Sequence, residues 1–430
     1  MKVLIIKNDG FGDLILTLPI LSNLYKKKNS LKIDLVLSEV NSDLKIFLKK
    51  FRKIFFLRDL ASKFNPNKKL SKSDNKILSQ INKEKYDICI VLRRNLNIEN
   101  LKVMQIVNAK KKFICIENIS KNKFLNQEFL KLKSEWINVN QNNQDINEYD
   151  YYRNFLINLG FNIKNRNSKI NNPKINNQKK IVINLSGEKQ FTNIDNLSKL
   201  INLVINNTNQ KITIIGKTFD NTLQKKIKKT LHKYKYNFRI NDLFSKTDFK
   251  QSMNLIDQSS IYIGFETGLS HYAVNKNIKC LILLASGGGH KWFPYPKNIR
   301  KNETYWMYNT PCADCDYIGD NQCLFKTRFC VDNIFKNNLE RNFKDFLKHK
   351  NNKVNFSSYS YFLSNWRYKS KRSNLYKLEN NKNIKIKNNL FLTISYLLEV
   401  VKFIYKNNLI YFVSKKFLTK IFLSLNPQSY

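Results

Sequence analysis

Short apolar runs alternate with segments of helical periodicity along the first third of the chain. Residues 3–6, 33–37, 54–57, 88–92 and 113–116 are mostly apolar. Runs this short and unbroken suit parallel strands covered on both faces. Between the first two, residues 14–25 carry apolar positions at helical spacing. Such alternation predicts an α/β domain on a parallel sheet. Residues 138–150 and 164–180 are rich in Asn, Gln and Lys and offer little to a core; the second stretch is expected to be an interdomain linker. The pattern then restarts, with strands expected at 181–185, 212–215, 261–263 and 280–284 and helices at 194–205 and 249–256.

Two successive α/β patterns predict two Rossmann-like domains, 1–170 and 171–350, facing a cleft. Open parallel sheets bind ligands beyond the carboxyl ends of their strands, so the cleft is the expected site. Beyond residue 350 the pattern stops. Residues 354–389 are basic and read as loop. From Leu390 two amphipathic patterns follow. Ser395, Glu399, Lys402 and Lys406 share one polar face, and Lys416, Lys420 and Ser424 another. Residues 351–430 are therefore expected to form a basic amphipathic helical extension. It is either a hairpin packed on the protein's own core or an interfacial anchor on anionic lipid.

Composition sharpens this picture. A chain of 430 residues is too long for one ordinary core. Its 76 Lys+Arg against 32 Asp+Glu give a formal net charge of +44. That excess reads either as lysine drift at surface positions or as a surface meeting anionic lipid or substrate. Nucleic acid is not an expected partner: zinc-finger spacing, RNP-type aromatics and a helix-turn-helix unit are all missing from the sequence. The start of the chain lacks a secretory pattern, and seven cysteines, an odd number, fit reduced thiols. The expected location is the cytoplasm, without a transmembrane helix.

Five places carry candidate chemistry. Residues 7–19 read KNDGFGDLILTLP, with Gly10 and Gly12 expected to turn the chain at the end of the first strand. The Gly-x-Gly spacing invites a dinucleotide reading, with Asp34 as the ribose partner. Position 15 is Ile, however, so the fingerprint is incomplete. Asp9 and Asp13 also bring negative charge where a pyrophosphate would sit. Asp13 is thus either a helix N-cap or a general base presented to the cleft. The second place is Glu266, Thr267, Gly268, Leu269, Ser270 and His271, after a strand and opening a helix. Hydroxyls, a glycine and free helix amides there suit an anion, and His271 could add a donor. Third, Ser186, Gly187 and Lys189 follow the first strand of the second domain, where a phosphate contact is reasonable. Fourth, the run ending Gly288-Gly289-His290 is either a flexible turn or a loop closing over the ligand. Fifth, Cys312, Cys315, Cys323 and Cys330 are either reduced thiols or a structural tetrahedral zinc site.

Taken in order, Gly12-Asp13-Leu14 with Thr17 and Pro19, then Lys189, then Glu266 to His271 resemble glycosyltransferase family 9, the ADP-heptose lipopolysaccharide heptosyltransferases. The resemblance spans roughly residues 1–335. It implies a GT-B fold with the nucleotide sugar on the C-terminal domain. It also implies inverting transfer that needs no metal or other cofactor. Asp13 matches the family's base. Lys189, Thr267, Gly268, Leu269, Ser270 and His271 match the segments that hold the donor diphosphate. Glu266 stands where the family commonly has Asp, and the Gly287 to His290 loop replaces a Gly-Pro-Thr type loop, so the sugar is left open. The implied partners are an ADP-heptose-like nucleotide sugar, a glycolipid acceptor and the inner face of the cytoplasmic membrane. A non-catalytic nucleotide- or glycan-binding protein on the same fold is the alternative, and a nicotinamide-dependent oxidoreductase a third.

Overall fold

The computed structural model describes residues 1–25, 30–58, 70–94, 98–115, 123–132, 135–138, 147–163, 180–186, 194–218, 220–284, 292–293, 295, 302–307, 329–335, 339–348, 375–379 and 382–386. The chain divides into two compact units, Met1–Asn171 and Asn172–Tyr430.

The first unit runs β1 (Lys2–Lys7), α1 (Phe11–Ser22), β2 (Leu24–Tyr25), β3 (Lys32–Ser38), a 3₁₀ segment (Glu39–Phe47) and β4 (Lys53–Leu57). It continues with α2 (Lys72–Lys83), β5 (Lys85–Val91), α3 (Ile98–Ile106), β6 (Asn108–Ile114), α4 (Lys123–Leu132), β7 (Ile137–Asn138), α5 (Glu148–Asn158) and β8 (Asn162–Ile163). Six strands form one parallel sheet in the order β4-β3-β1-β5-β6-β7. Val3, Leu4, Ile5 and Ile6 are fully buried, as expected of a central strand covered on both faces. Leu4 and Ile6 pack with Val36, Cys89, Val91, Leu101 and Met104 on one side.

The second unit repeats the design with β9 (Lys180–Asn184), α6 (Asp195–Asn207), β10 (Lys211–Ile215), α7 (Asn221–His232), β11 (Ile240–Asp242), α8 (Phe249–Asp257) and β12 (Ile261–Phe265). Then come α9 (Gly268–Asn275), β13 (Lys279–Leu284), β14 (Glu303–Met307), α10 (Phe329–Ile334) and α11 (Leu339–Lys348). Its parallel sheet has the order β11-β10-β9-β12-β13-β14. Ile181, Ile183, Ile212, Ile214, Ile263, Leu281 and Leu283 form its core with Leu197, Ile201 and Ile227. Both sheets reverse strand order at their first strand, and that switch point is where doubly wound sheets take ligands.

Three sequence expectations change. The helix expected over 14–25 begins at Phe11 and ends at Ser22, because Gly10 is its N-cap and the Asn23 side chain donates to the Pro19 carbonyl (2.8 Å). Leu24 and Tyr25 instead pair antiparallel with β8. The polar reading of 138–150 missed the start of α5. There the Asn147 side chain accepts from the Tyr149 amide (2.8 Å), and Glu148 and Tyr149 are buried. Residues 354–389 are not all loop, because β15 (Leu375–Glu379) and β16 (Lys382–Ile386) pair antiparallel. Ile384-Lys385-Ile386 alternates with strand period. The two amphipathic patterns after Leu390 lie outside the described residues.

Candidate functional site

In the first unit the segment Asn8-Asp9-Gly10 leaves the carboxyl end of β1 at the switch point, and α1 follows at once. Gly10 has φ −65°, an ordinary value, so the expected glycine turn is an ordinary helix entry. Asp13 lies in the first turn of α1, three residues past the Gly10 N-cap, so it is not the cap itself. Its carboxylate lies back over Gly10: a Cβ there would stand 3.0 Å from Asp13 Oδ2. Asp13 is half-buried. Thr17 Oγ1 donates to the Asp13 carbonyl (3.0 Å) and tethers that turn from within the helix.

Around Asp13 sits a charged cluster that the sequence did not single out. Lys7 is fully buried, pairs with the Asp9 carboxylate and lies over the Tyr152 ring (4.2 Å). Burial raises the Asp9 carboxyl above the usual carboxylate range, Lys7 opposes this, and the charge of Asp13 adds to it. Asn41 Nδ2 donates to the Asp9 carbonyl (3.0 Å), and Arg93 Nη1 to the Asn8 carbonyl (2.9 Å). Asp9 Oδ1, both side-chain polar atoms of Asn8 and Asn41 Oδ1 are buried without a hydrogen-bond partner among the described residues. Buried polar atoms are normally paired, so the end of β1 is built to meet polar groups. Asp34, the candidate ribose partner, has another task. It is fully buried within β3, accepts from Arg52 Nε (2.8 Å) and Tyr86 Oη (3.0 Å), and holds the sheet together.

In the second unit the switch point is organised by Asn184, at the end of β9. Its Nδ2 donates to Tyr262 Oη (2.8 Å) and Thr267 Oγ1 (3.1 Å), and its Oδ1 accepts from the Ser186 amide (3.0 Å). Both amide hydrogens are therefore used. Gly216, at φ +119°, closes the other side: a Cβ there would stand 2.6 Å from the Ser186 nitrogen and 2.9 Å from Asn184 Oδ1. Gly264 leaves room for the Tyr262 ring, whose Oη would lie 2.8 Å from a Cβ at that position.

The loop 266–271 is held by this network. Ser270 is fully buried and donates to the Phe265 carbonyl, which can only accept. Its one proton is thereby used, so Ser270 is a brace and not the ligand donor expected from sequence. Tyr262 Oη (2.9 Å) and Thr267 Oγ1 (3.2 Å) also meet its oxygen. Thr267 accepts from Asn184 and keeps its own proton for Ser270 or a ligand. Thr267 is the N-cap of α9 but makes no side-chain cap bond. The amides of Gly268 and Leu269 stand in the first turn, where an α-helix leaves donors unmet. Leu269 is buried and Glu266 half-buried.

His271 is buried and stacks on Phe293 (4.2 Å between ring centres, 6° between planes). Its Nδ1 meets Tyr295 Oη (2.9 Å), which also accepts from Asn275 Nδ2 (3.2 Å). Burial pushes its pKa down to about 3, so the ring is neutral. It can offer a donor to an anion but no positive charge.

The structure brings Ser186 to this network; its Oγ accepts from the Lys217 amide (3.4 Å). Gly187, Lys189, Gly288, Gly289, His290, Cys312, Cys315 and Cys323 lie outside the described residues, as does the Cys330 side chain. Among the described residues no group of His, Cys, Asp and Glu could hold a metal ion, and no helix is long and apolar enough to cross a membrane.

No family model and no curated protein matches the chain. Among solved structures it is similar to E. coli heptosyltransferase WaaC with ADP-2-deoxy-2-fluoro heptose. The identity is 15% and the TM-score 0.50, covering 75% of this chain and 100% of that one. It is also similar to WaaC with ADP, at 14% identity and TM-score 0.51, covering 71% and 92%. The architecture is thus α/β and GT-B, a heptosyltransferase-like fold.

Proposed function

We propose that the protein is an inverting glycosyltransferase. It moves a sugar, heptose or a relative, from a nucleoside-diphosphate donor to lipopolysaccharide or another envelope glycan. The observation that carries this reading is a division of labour between two switch points. One ends in a carboxylate, Asp13, and the other in an uncapped helix start with Thr267 beside it. The solved WaaC structures with ADP and an ADP-sugar analogue support a donor of that class.

In this mechanism Asp13 takes the proton from the acceptor hydroxyl. The hydroxyl oxygen attacks the anomeric carbon, the bond from that carbon to the donor's β-phosphate oxygen breaks, and the nucleoside diphosphate leaves. The amides of Gly268 and Leu269, the Thr267 hydroxyl and Lys189 meet the charge that grows on the departing diphosphate, as fixed dipoles aimed at developing charge do. The protein works at the cytoplasmic face of the membrane that carries its acceptor, with the 351–430 segment as an anchor.

Replacing Asp13→Asn tests the base. Transfer should fall by about 10²–10⁴-fold, the range for losing a positioned general base. Calorimetric affinity for the donor should hold. Wild-type turnover in the variant would remove Asp13 from the chemistry. Donor binding without transfer to any envelope acceptor by the wild type would favour a non-catalytic binding protein.

A further inference from the structure

We propose that the far end of α7 and the turn after it form a docking surface for an anionic lipid bilayer. Tyr236 and Phe238 are 86% and 92% exposed, whereas the next most exposed large apolar side chain among the described residues is Leu130 at 56%. Nothing in the core needs them there. They stand in the segment of residues 221–240, which holds Lys225, Lys226, Lys228, Lys229, Lys233, Lys235 and Arg239 and no acidic residue. The six lysines are all exposed.

The helix explains the layout. Leu223, Ile227 and Leu231 repeat every four residues and bury a narrow stripe, which leaves the rest of α7 to the lysines. Successive tight turns then follow: the Tyr234 amide donates to the Leu231 carbonyl (2.9 Å) and the Asn237 amide to the Tyr234 carbonyl (2.9 Å). These turns carry Tyr236 and Phe238 within a few residues of the end of the basic helix. Lys235 Nζ lies 4.5 Å over the Tyr236 ring. The nearest acids in sequence are committed elsewhere. Asp220 caps α7 through the Thr222 and Leu223 amides, and Asp242 accepts from the Phe244 amide.

Lysine drift accounts for scattered cations but not for two protruding aromatic rings among them. A solvated basic helix for nucleic acid explains the lysines and leaves Phe238 without a role. A bilayer explains both. Headgroup charge attracts the lysines, and the two rings reach the apolar side of the interface. The proposal deepens the membrane part of the function above and does not depend on sugar transfer, since docking can be read without donor or acceptor.

The test uses the full chain and two kinds of vesicle, phosphatidylcholine alone and phosphatidylcholine with phosphatidylglycerol. Co-sedimentation should occur on the anionic vesicles and weaken with salt. The combined variant Lys225→Gln, Lys226→Gln, Lys228→Gln and Lys229→Gln should lower the partition coefficient by up to several hundredfold, at roughly fivefold per lysine. A site-specific reading comes from Phe238→Trp, at a position too exposed to disturb folding. Brominated lipid should quench its added fluorescence. The idea falls if the quadruple variant partitions like the wild type, or if brominated lipid quenches Phe238→Trp no more than the wild type. Loss of affinity for an RNA oligomer with unchanged vesicle binding would assign the surface to nucleic acid instead. Transfer activity, measured in parallel, alters neither outcome.

Discussion

Asn184 uses every polar atom of its side chain to hold the second unit's switch point. Substituting Asn184→Asp replaces the two donated hydrogens with lone pairs. Tyr262 and Thr267 must then turn their own protons toward the new carboxylate, and Thr267 loses the proton it could give a ligand. The chain should lose about 1–3 kcal/mol of stability, the usual loss when a buried hydrogen-bond partner is removed. Affinity for a nucleoside diphosphate should drop as well. Chemical denaturation and calorimetry read the two effects separately, and an unchanged affinity would take Thr267 out of the donor site. His271 gives a pH prediction with a definite sign. Its folded pKa of about 3 lies below the ordinary histidine value of 6.5, so between these values the unfolded chain binds more protons. The stability due to neutral His271 is complete above pH 6.5 and declines as pH falls toward 3. His271→Gln should flatten that decline when urea midpoints are compared at pH 7 and pH 5. A wild-type slope in the variant would mean that other groups carry the acid sensitivity.

At the scale of elements, two glycines separate folding from chemistry. Gly216 directly follows β10 at φ +119° against the Ser186 nitrogen, so Gly216→Ala meets both an unfavourable backbone region and a clash. It should destabilise the second unit by roughly 1–3 kcal/mol or more. Gly10→Ala keeps an ordinary φ, and its new methyl meets only the Asp13 carboxylate. Stability should hold while transfer falls; thermal melts and turnover together decide this, and normal turnover would show that the Asp13 position is not critical. The same elements show what the sequence disclosed. Strands buried on both faces were legible because their runs are unbroken, as at Ile5 and Ile183. Helix α7 was not, because its apolar stripe of Leu223, Ile227 and Leu231 is narrow and surrounded by lysines. The places of Asp13 and Thr267 at strand-to-helix turns were legible because a glycine and a strand end frame each of them. Asn184 and Tyr262 were not, because their partners are not their neighbours in sequence, and the Lys7–Asp9 pair was not, because nothing in the sequence shows that both side chains are buried. Tyr262 in particular reads as one more core residue of β12 until its hydroxyl is seen between Asn184 and Ser270.

The molecule as a whole consists of two units with the same strand order and different groups at the switch point. Under the proposed reading the donor belongs to the second unit alone, and this can be tested without knowing the acceptor. A ligand that binds only the folded state stabilises it by RT ln(1 + [L]/Kd), about 2.7 kcal/mol at a hundredfold excess over Kd. A nucleoside diphosphate should therefore raise the melting temperature of the wild type. Asp13→Asn should show the same increment, because its carboxylate meets the acceptor and not the diphosphate. Asn184→Asp should show a smaller one, because its network holds Thr267. Adding a chelator should leave the increment and the transfer rate unchanged if the diphosphate is met by amides, hydroxyl and lysine and not by a metal. The discriminating result is the pattern across the variants. If Asp13→Asn loses the increment and Asn184→Asp keeps it, the diphosphate sits at the end of β1, and the roles assigned to the two units must be exchanged.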